Sequence, residues 1–327
     1  LPDGTVDSGT LATDSVTAVK IPDTVESSLK SGRKNLLING GFDVWQRGTS
    51  FSGVSNGAYT ADRWTILDSV GNNITTVTPK TTTDKYTYVE KTSGTGSGGL
   101  HQFVEINHLI PSGTNLVISF DGTHLSGTNS YRVVIQYRPN SSWSGVSSEI
   151  GTLTFVTSEG LNSLTVTTTE DMVQGDMAVK ILPNTTGNYK YGIAEVQLEL
   201  GSVATDFEHR SYGEELALCQ RYYWTESQSD SYHNVCTGFY PNTTLFIGVV
   251  HTPVAMRLSP SLITSGNWET AGNGSSTVSA FLLTDSTGSD LTCFQIRATV
   301  SNVTTGQGAS LRNATDTTAI IALDAEL

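Results

Sequence analysis

Charge is scarce in this sequence. Asp, Glu, Lys and Arg make up 15% of it, and 31 acidic residues against 18 basic ones leave a net charge of −13. No Lys/Arg cluster interrupts that excess, so the chain repels nucleic acid and anionic lipid, and neither is expected as a partner. Long apolar runs are missing as well. None reaches the ~18 residues that a membrane-spanning helix needs, so no membrane insertion is expected. Cysteine is nearly absent: Cys219, Cys236 and Cys293 form no CxxC and no metal-ligand spacing with histidine. They are expected to be small buried apolar groups, with a Cys219–Cys236 bridge left open. Nor does any GxSxG, HExxH, phosphate-binding glycine loop or Rossmann fingerprint occur, so no enzyme class announces itself.

What is present is strand texture. The 37% of apolar residues come in short β-branched packets, separated by Gly, Asn, Ser and Thr. Segments such as "TNLVISFDGTHL", "SYRVVIQYRP", "GDMAVKILP" and "KYGIAEVQLEL" alternate with a period of two. Many short strands at even spacing predict an all-β chain, a jelly-roll β-sandwich followed by a second, smaller β-sandwich. In "SYRVVIQYRP", Tyr131, Val133, Ile135 and Tyr137 fall on one face, with Arg132, Gln136 and Arg138 on the other. In "HQFVEINH", His101, Phe103 and Glu105 share a face and His108 falls opposite, which makes a poor chelate.

Two stretches depart from this texture. Residues 1–34 carry single apolar residues, Val16 and Ile21 among them, each separated by several small polar ones. So thin a stripe cannot be enclosed by one chain but can be shared along an axis by several, which predicts an extended stalk. The block "SYGEELALCQRYYW", residues 211–224, is expected to be the one helix. Ser211 caps it, Glu214 and Glu215 lie in its first turn, and Arg221 lies in its last. Leu216, Cys219 and Tyr223 share one side while Leu218 and Tyr222 occupy another, and a helix apolar on two sides must be covered on both. The expected organisation is therefore a stalk to residue 34, a jelly roll over 35–210, an interface helix over 211–224, and a β-sandwich over 225–327.

The blocks "NLLINGGFDVWQRGTSF…YTADRW" and "IAEVQLELGSVATDFEHRSYGEELALCQRYYW" resemble paired signatures of bacteriophage tail fibre and related virion fibre proteins. In that family the first opens, and the second closes, a jelly roll similar to carbohydrate-binding modules. "VVHTPVAMRLSPSL" is similar to a further recurrent pattern of the distal domain. The resemblance implies a non-catalytic homotrimer of the virion, assembled in the host bacterial cytoplasm. Its stalk side would join other phage structural proteins, and its head would adhere to a host surface glycan or protein. In such a trimer Leu216, Cys219, Tyr222, Tyr223, Val16 and Ile21 would meet their counterparts. Two other readings stay open: a connector or head-decoration fibre without receptor contact, and a surface-polysaccharide depolymerase.

Candidate contacts follow from chemistry. Aromatic faces stack on pyranose rings while Asn, Asp and Arg fix hydroxyls. Trp143 and Trp268 sit among small polar residues, and Tyr137 and Arg138 end an alternating strand, so these four are the candidate glycan contacts; Trp45 and Trp64 read as core. No pair among Asp121, Glu149, Glu159, Glu170 and Asp171 is singled out for glycan cleavage. The resemblance also implies a structural calcium with Asp43 and Glu195 among its oxygen ligands, the alternative being exposure or pairing with Arg47 or Arg63.

Overall fold

The computed structural model describes residues 34–326, apart from 69–73, 95–97, 107–108, 128–129, 140–147, 157–159, 173–174, 186, 228–229 and 286–290. The stalk expectation, with Val16 and Ile21, lies outside the described residues. The chain divides into two compact units: residues 1–42, 50–58 and 64–209 form the first, and 43–49, 59–63 and 210–327 the second.

Unit 1 is a jelly-roll sandwich. Its strands are β1 (Phe51–Val54), β2 (Thr65–Asp68), β3 (Ile74–Thr78), β4 (Thr87–Lys91), β5 (Gly98–Ile106), β6 (Asn115–Ser126), β7 (Ser130–Pro139), β8 (Ser148–Val156), β9 (Gly160–Thr167), β10 (Gly175–Pro183) and β11 (Tyr189–Leu200). They form two sheets, ordered β1-β3-β4-β11-β6-β9 and β2-β5-β10-β7-β8. The alternation read from the sequence sets the core. Tyr131, Val133, Ile135 and Tyr137 of β7 are all buried, opposite Ile181, Val179 and Met177 of β10. Tyr131 meets Tyr191 of the other sheet edge to face, with ring centroids 5.2 Å apart.

The first signature block is stitched to the last strand by buried amides. Asn35 Nδ2 donates to the Val196 carbonyl, and its Oδ1 accepts from the Leu37 and Leu198 amides, each at 3.0 Å. Gln102 closes a two-point clamp on Ile38, donating to its carbonyl and accepting from its amide at 2.8 Å. Trp64, fully buried, donates from Nε1 to the Asn39 carbonyl. Gly40 is required here because a Cβ would lie 2.0 Å from the Val196 carbonyl oxygen. A buried polar group stripped of its partners costs ~1–3 kcal/mol each.

The buried Gln197 and Glu199 of β11 tie down the segment that follows the strand. Glu199 accepts from Thr205, and Gln197 accepts from the Glu208 amide. Glu208 in turn accepts from the amides of Lys34 and Asn35. The two ends of the jelly roll are thereby joined by side chains as well as by the sheet.

Unit 2 contains α1 (Tyr212–Gln220), then β12 (Tyr223–Ser227), β13 (Asn234–Asn242), β14 (Leu245–His251), β15 (Ser261–Ser265), β16 (Trp268–Gly272), β17 (Gly274–Thr277), β18 (Ala280–Asp285), β19 (Cys293–Thr299), β20 (Gly308–Asn313) and β21 (Ile320–Asp324). A sheet ordered β12-β21-β15 and one ordered β17-β16-β20-β13-β14-β19-β18 enclose Trp224, Phe246, Phe294, Ile296 and Leu311. The helix begins as expected, with a reciprocal capping box between Ser211 and Glu214. It ends sooner than expected. Arg221 is its C-cap, and Tyr223 already pairs in β12 with Asp324 of β21. The aromatic run 222–224 is strand-forming, and its pairing with the end of the chain overrides continuation of the helix.

Replacing Asn35 with Ala would strand two backbone amides and a carbonyl. Its urea midpoint should correspond to a loss of at least about 2 kcal/mol, and a loss below about 0.5 kcal/mol would contradict this account.

Candidate functional site

The face of the β2-β5-β10-β7-β8 sheet turned away from the sandwich core is rich in functional groups. Register places Lys180 between His101 and Val134, Ala178 between Phe103 and Gln136, and Asp176 between Glu105 and Arg138. His101 and Phe103 pack edge to face, with centroids 4.2 Å apart at 67°. Thr65, on β2, bonds across to His101. Lys180 Nζ donates to Gln136 Oε1. Ala178 presents no bulk beside Phe103, and Arg132 is exposed next to this row. His101, Phe103 and Asp176 are buried and Glu105, Gln136 and Lys180 half-buried, although all six project from the outer side of the sheet. What this face presents outward is therefore the half-buried Glu105, Gln136 and Lys180 with the exposed Arg132, a polar set suited to the hydroxyl edges of a ligand.

The sequence-derived contacts fare differently. Tyr137 is a correction: it lies in the core, 4% exposed, because its alternation partners are the core row of β7. Arg138 is paired in register with Asp176 of β10. Trp143 lies outside the described residues. Trp268 is also a correction, being 2% exposed within β16. Its indole Nε1 donates to the Ser265 carbonyl, and its ring packs at right angles on Phe281. Of the other two tryptophans, Trp64 is core and Trp45 half-buried.

The calcium expectation rests on Asp43 and Glu195. Asp43 groups with unit 2 and is exposed, whereas Glu195 groups with unit 1 and is half-buried at a bulge with φ of 54°. Among the described residues no three His, Cys, Asp or Glu side chains gather as metal ligands do.

The interface expectation for the helix is corrected in part. Cys219, Tyr222 and Tyr223 are buried within a single chain, while Leu216 and Leu218 are half-buried. The cover comes from residues 43–49 and 59–63. The Arg47 guanidinium lies between the rings of Tyr223 and Tyr59, 3.6 and 4.6 Å from their centroids, and that of Arg63 lies 3.5 Å from the Tyr222 centroid. Arg47 pairs with Glu326 at 3.1 Å, Asp324 at 3.6 Å and Asp62 at 3.8 Å, and Arg63 pairs with Glu326. Gln46 donates to the Tyr223 carbonyl and to Asp62.

Burial opposes the charge on Arg63, but Glu326, then Tyr222 and Tyr59, outweigh it and hold the guanidinium pKa above its usual value. Burial raises the Asp62 carboxyl, against the pull of Arg47 and the Gln46 bonds. Arg63 holds φ of 70° in this setting, a left-handed conformation that a long side chain adopts only when its surroundings fix it. This network is a structural lock. Its guanidiniums are spent on rings and carboxylates, and it anchors the end of the chain.

Cys219 and Cys236 are buried free thiols, so the bridge left open by the sequence is not formed. Burial pushes the Cys236 thiol up to about 12 and raises Cys219 well above its ordinary value.

No protein-family model matches this chain, and neither does any curated protein. Solved structures similar to it include a family 11 carbohydrate-binding module from Clostridium thermocellum in complex with a β-1,3-1,4-mixed-linked tetrasaccharide. That match has 12% identity and a TM-score of 0.30, over 48% of this chain and 97% of that one. A module described as TmCBM61, in complex with β-1,4-galactotriose, matches at 14% identity and a TM-score of 0.31, over 52% of this chain and all of that one. The enzymatically active domain of bacteriophage CBA120 tailspike protein 4 matches at 12% identity and a TM-score of 0.33, over 47% of this chain and 21% of that one. At such values no residue of theirs is transferred to this chain.

Two outcomes follow from the unit 2 geometry. Glu326→Gln should destabilise the protein by about 3 kcal/mol, because it leaves Arg63 buried without its charge partner; Arg63→Met combined with Glu326→Leu should recover part of that loss. A double variant no more stable than Glu326→Gln would refute the lock. In thiol labelling at pH 8, Cys293, half-buried, should react first. Cys219 and Cys236 should stay protonated and react only as fast as the fold opens. Three equally fast thiols in the native protein would contradict their placement.

Proposed function

We propose that this chain is a homotrimeric virion fibre protein that attaches its particle to a glycan on the host surface, without catalysis. The observation that carries the reading is the outer face of the five-stranded sheet. There His101 and Phe103 stand beside Glu105, Asp176, Gln136 and Lys180, with Arg132 exposed at the side. His101 and Phe103 pack beneath this face, and the half-buried Glu105, Gln136 and Lys180 with the exposed Arg132 are the groups that meet a glycan's hydroxyls. The fibre assignment is supported by the paired signature blocks that open and close the jelly roll. The trimer is supported by the apolar spacing of residues 1–34 together with that resemblance. Trimeric presentation fits weak sites, since linked copies multiply avidity by ~10²–10⁴ without any new contact.

One observation favours a second reading, cleavage of a surface polysaccharide. Glu105 and Asp176 stand directly opposite on neighbouring strands, and facing side chains of this kind come within ~5 Å, the separation of a retaining carboxylate pair.

The test uses the full chain. Light scattering should give three polypeptides per particle. Binding to host cells should fall at least tenfold in Gln136→Ala combined with Arg132→Ala, with the melting temperature unchanged. A stable monomer would end the trimer reading, and undiminished binding would end the assignment of this face. Release of reducing ends from host polysaccharide, abolished by Glu105→Gln, would replace adhesion by cleavage.

A further inference from the structure

Unit 2 holds a pocket that no part of the preceding account uses. It is shallow and opens to solvent, leaves about 60 Å³ within its walls, and is lined by Tyr240, Asn273, Ser275, Asn302, Thr304 and Gln307 among others. Its walls are the β16–β17 turn at Asn273-Gly274 and the β19–β20 connection through Asn302 and Gln307.

The floor is rigid. Tyr240 is 2% exposed, its hydroxyl donates to Thr270 Oγ1 at 2.9 Å, and its ring meets Phe246 edge to face. The walls are fixed by backbone rather than by side chains. The Tyr240 amide donates to the Gln307 carbonyl, the Gly306 amide to the Tyr240 carbonyl, and the Gln307 amide to the Thr304 carbonyl. Ser276 and Ser301 bond reciprocally and join the two walls. Asn302 adopts φ of 58°, a left-handed conformation that Asn tolerates better than most residues.

Two features set this pocket apart. Its lining contains no charged residue, in a chain of net charge −13. In addition, the side-chain amides of Asn273, Asn302 and Gln307 make no hydrogen bond to another described group, because every bond that shapes the walls uses backbone or hydroxyls. Asn273 and Asn302 are exposed and Gln307 half-buried, so three primary amides, each a donor and an acceptor, present their bonding capacity to solvent. A carboxylate or phosphate ligand would find no cation here, and an apolar ligand would strand the amides. A neutral ligand with many vicinal hydroxyls satisfies donors and acceptors together.

We infer that this pocket binds a single neutral pyranose unit, through the amides of Asn273, Asn302 and Gln307. The site is separate in residues and in unit from the sheet face proposed above. It shares with that reading only the chemical class of ligand, and it discriminates against acidic sugars.

The experiment is saturation-transfer NMR on the full chain with the methyl glycosides of glucose, galactose and mannose, and with galacturonic and sialic acids as the charged set. At least one neutral glycoside should show transfer, the acids should show none, and the effect should be lost in Asn302→Gly combined with Gln307→Ala, Gly being at ease in the left-handed conformation of residue 302. Both positions are surface-facing amides, so a melting temperature within about 2 °C of the parent confirms that the fold is kept. Gln136→Ala combined with Arg132→Ala should leave this transfer unchanged, which separates the pocket from the sheet face. Absence of transfer from every neutral glycoside, equal transfer from the acids, or persistence in the Asn302/Gln307 variant would each overturn the inference. Loss in the Gln136/Arg132 variant alone would assign the binding to the sheet face instead.

Discussion

The buried contact between Arg63 and Glu326, with the Tyr222 ring stacked on the same guanidinium, is the constraint around which unit 2 is arranged. A fully buried guanidinium is tolerable only where its charge is answered in place. Here the answer comes from the penultimate residue of the chain. Arg47 repeats the device one layer out, between two tyrosine rings and against three carboxylates. Two guanidiniums from residues 43–63 thus hold three tyrosines and the C-terminal strand. Arg257 adds two bonds to the carbonyls of Ala325 and Glu326. Segments far apart in sequence become one unit because their charges cannot be buried separately.

That lock also explains what the helix block is for. Taken alone, "LALCQRYYW" looks too apolar for one chain, and sharing it among copies is the natural local inference. The structure supplies a different cover. The faces of Tyr222 and Tyr223 are closed by cations from residues 47 and 63, and Cys219 is 1% exposed within the same unit. A cationic lid of this kind leaves no trace in periodicity, because Arg47 and Arg63 read locally as surface residues. The same blindness accounts for Trp268. Its neighbours Asn267, Glu269 and Thr270 look like a loop, yet Thr270 is itself fully buried and accepts from the Tyr240 hydroxyl, so Trp268 and Thr270 form an inward-facing row. Which polar residues are inside is decided by partners thirty or more residues away.

Where period-two alternation acts alone, the sequence was legible. Tyr131 through Tyr137 form a core row as read, and for that reason Tyr137 is unavailable to a ligand. His101, Phe103 and Glu105 share a face as read, but their value as a set appears only when β10 and β7 place Asp176, Lys180 and Gln136 beside them. The Ser211–Glu214 cap was visible because capping is contained within four residues. The pocket of unit 2 was invisible for the opposite reason. Asn273, Asn302 and Gln307 are ordinary turn residues until two separate connections are folded against Tyr240.

Electrostatics connects the two surfaces. The chain has 18 cationic side chains against 31 acidic ones, and unit 2 commits Arg47, Arg63 and Arg257 to its own tyrosines, carboxylates and carbonyls. The field of the whole molecule repels an anionic ligand. A glycan bound in the pocket of unit 2, whose lining is uncharged, has to be held by apolar contact and by neutral hydrogen bonds. Val303 supplies the first there and the amide-lined walls supply the second. Neither interaction is much weakened by salt, since screening acts on charges and leaves apolar contact and short neutral hydrogen bonds in place. Attachment built this way is insensitive to ionic strength, a property that a surface of arginines pairing with acidic sugars would not have.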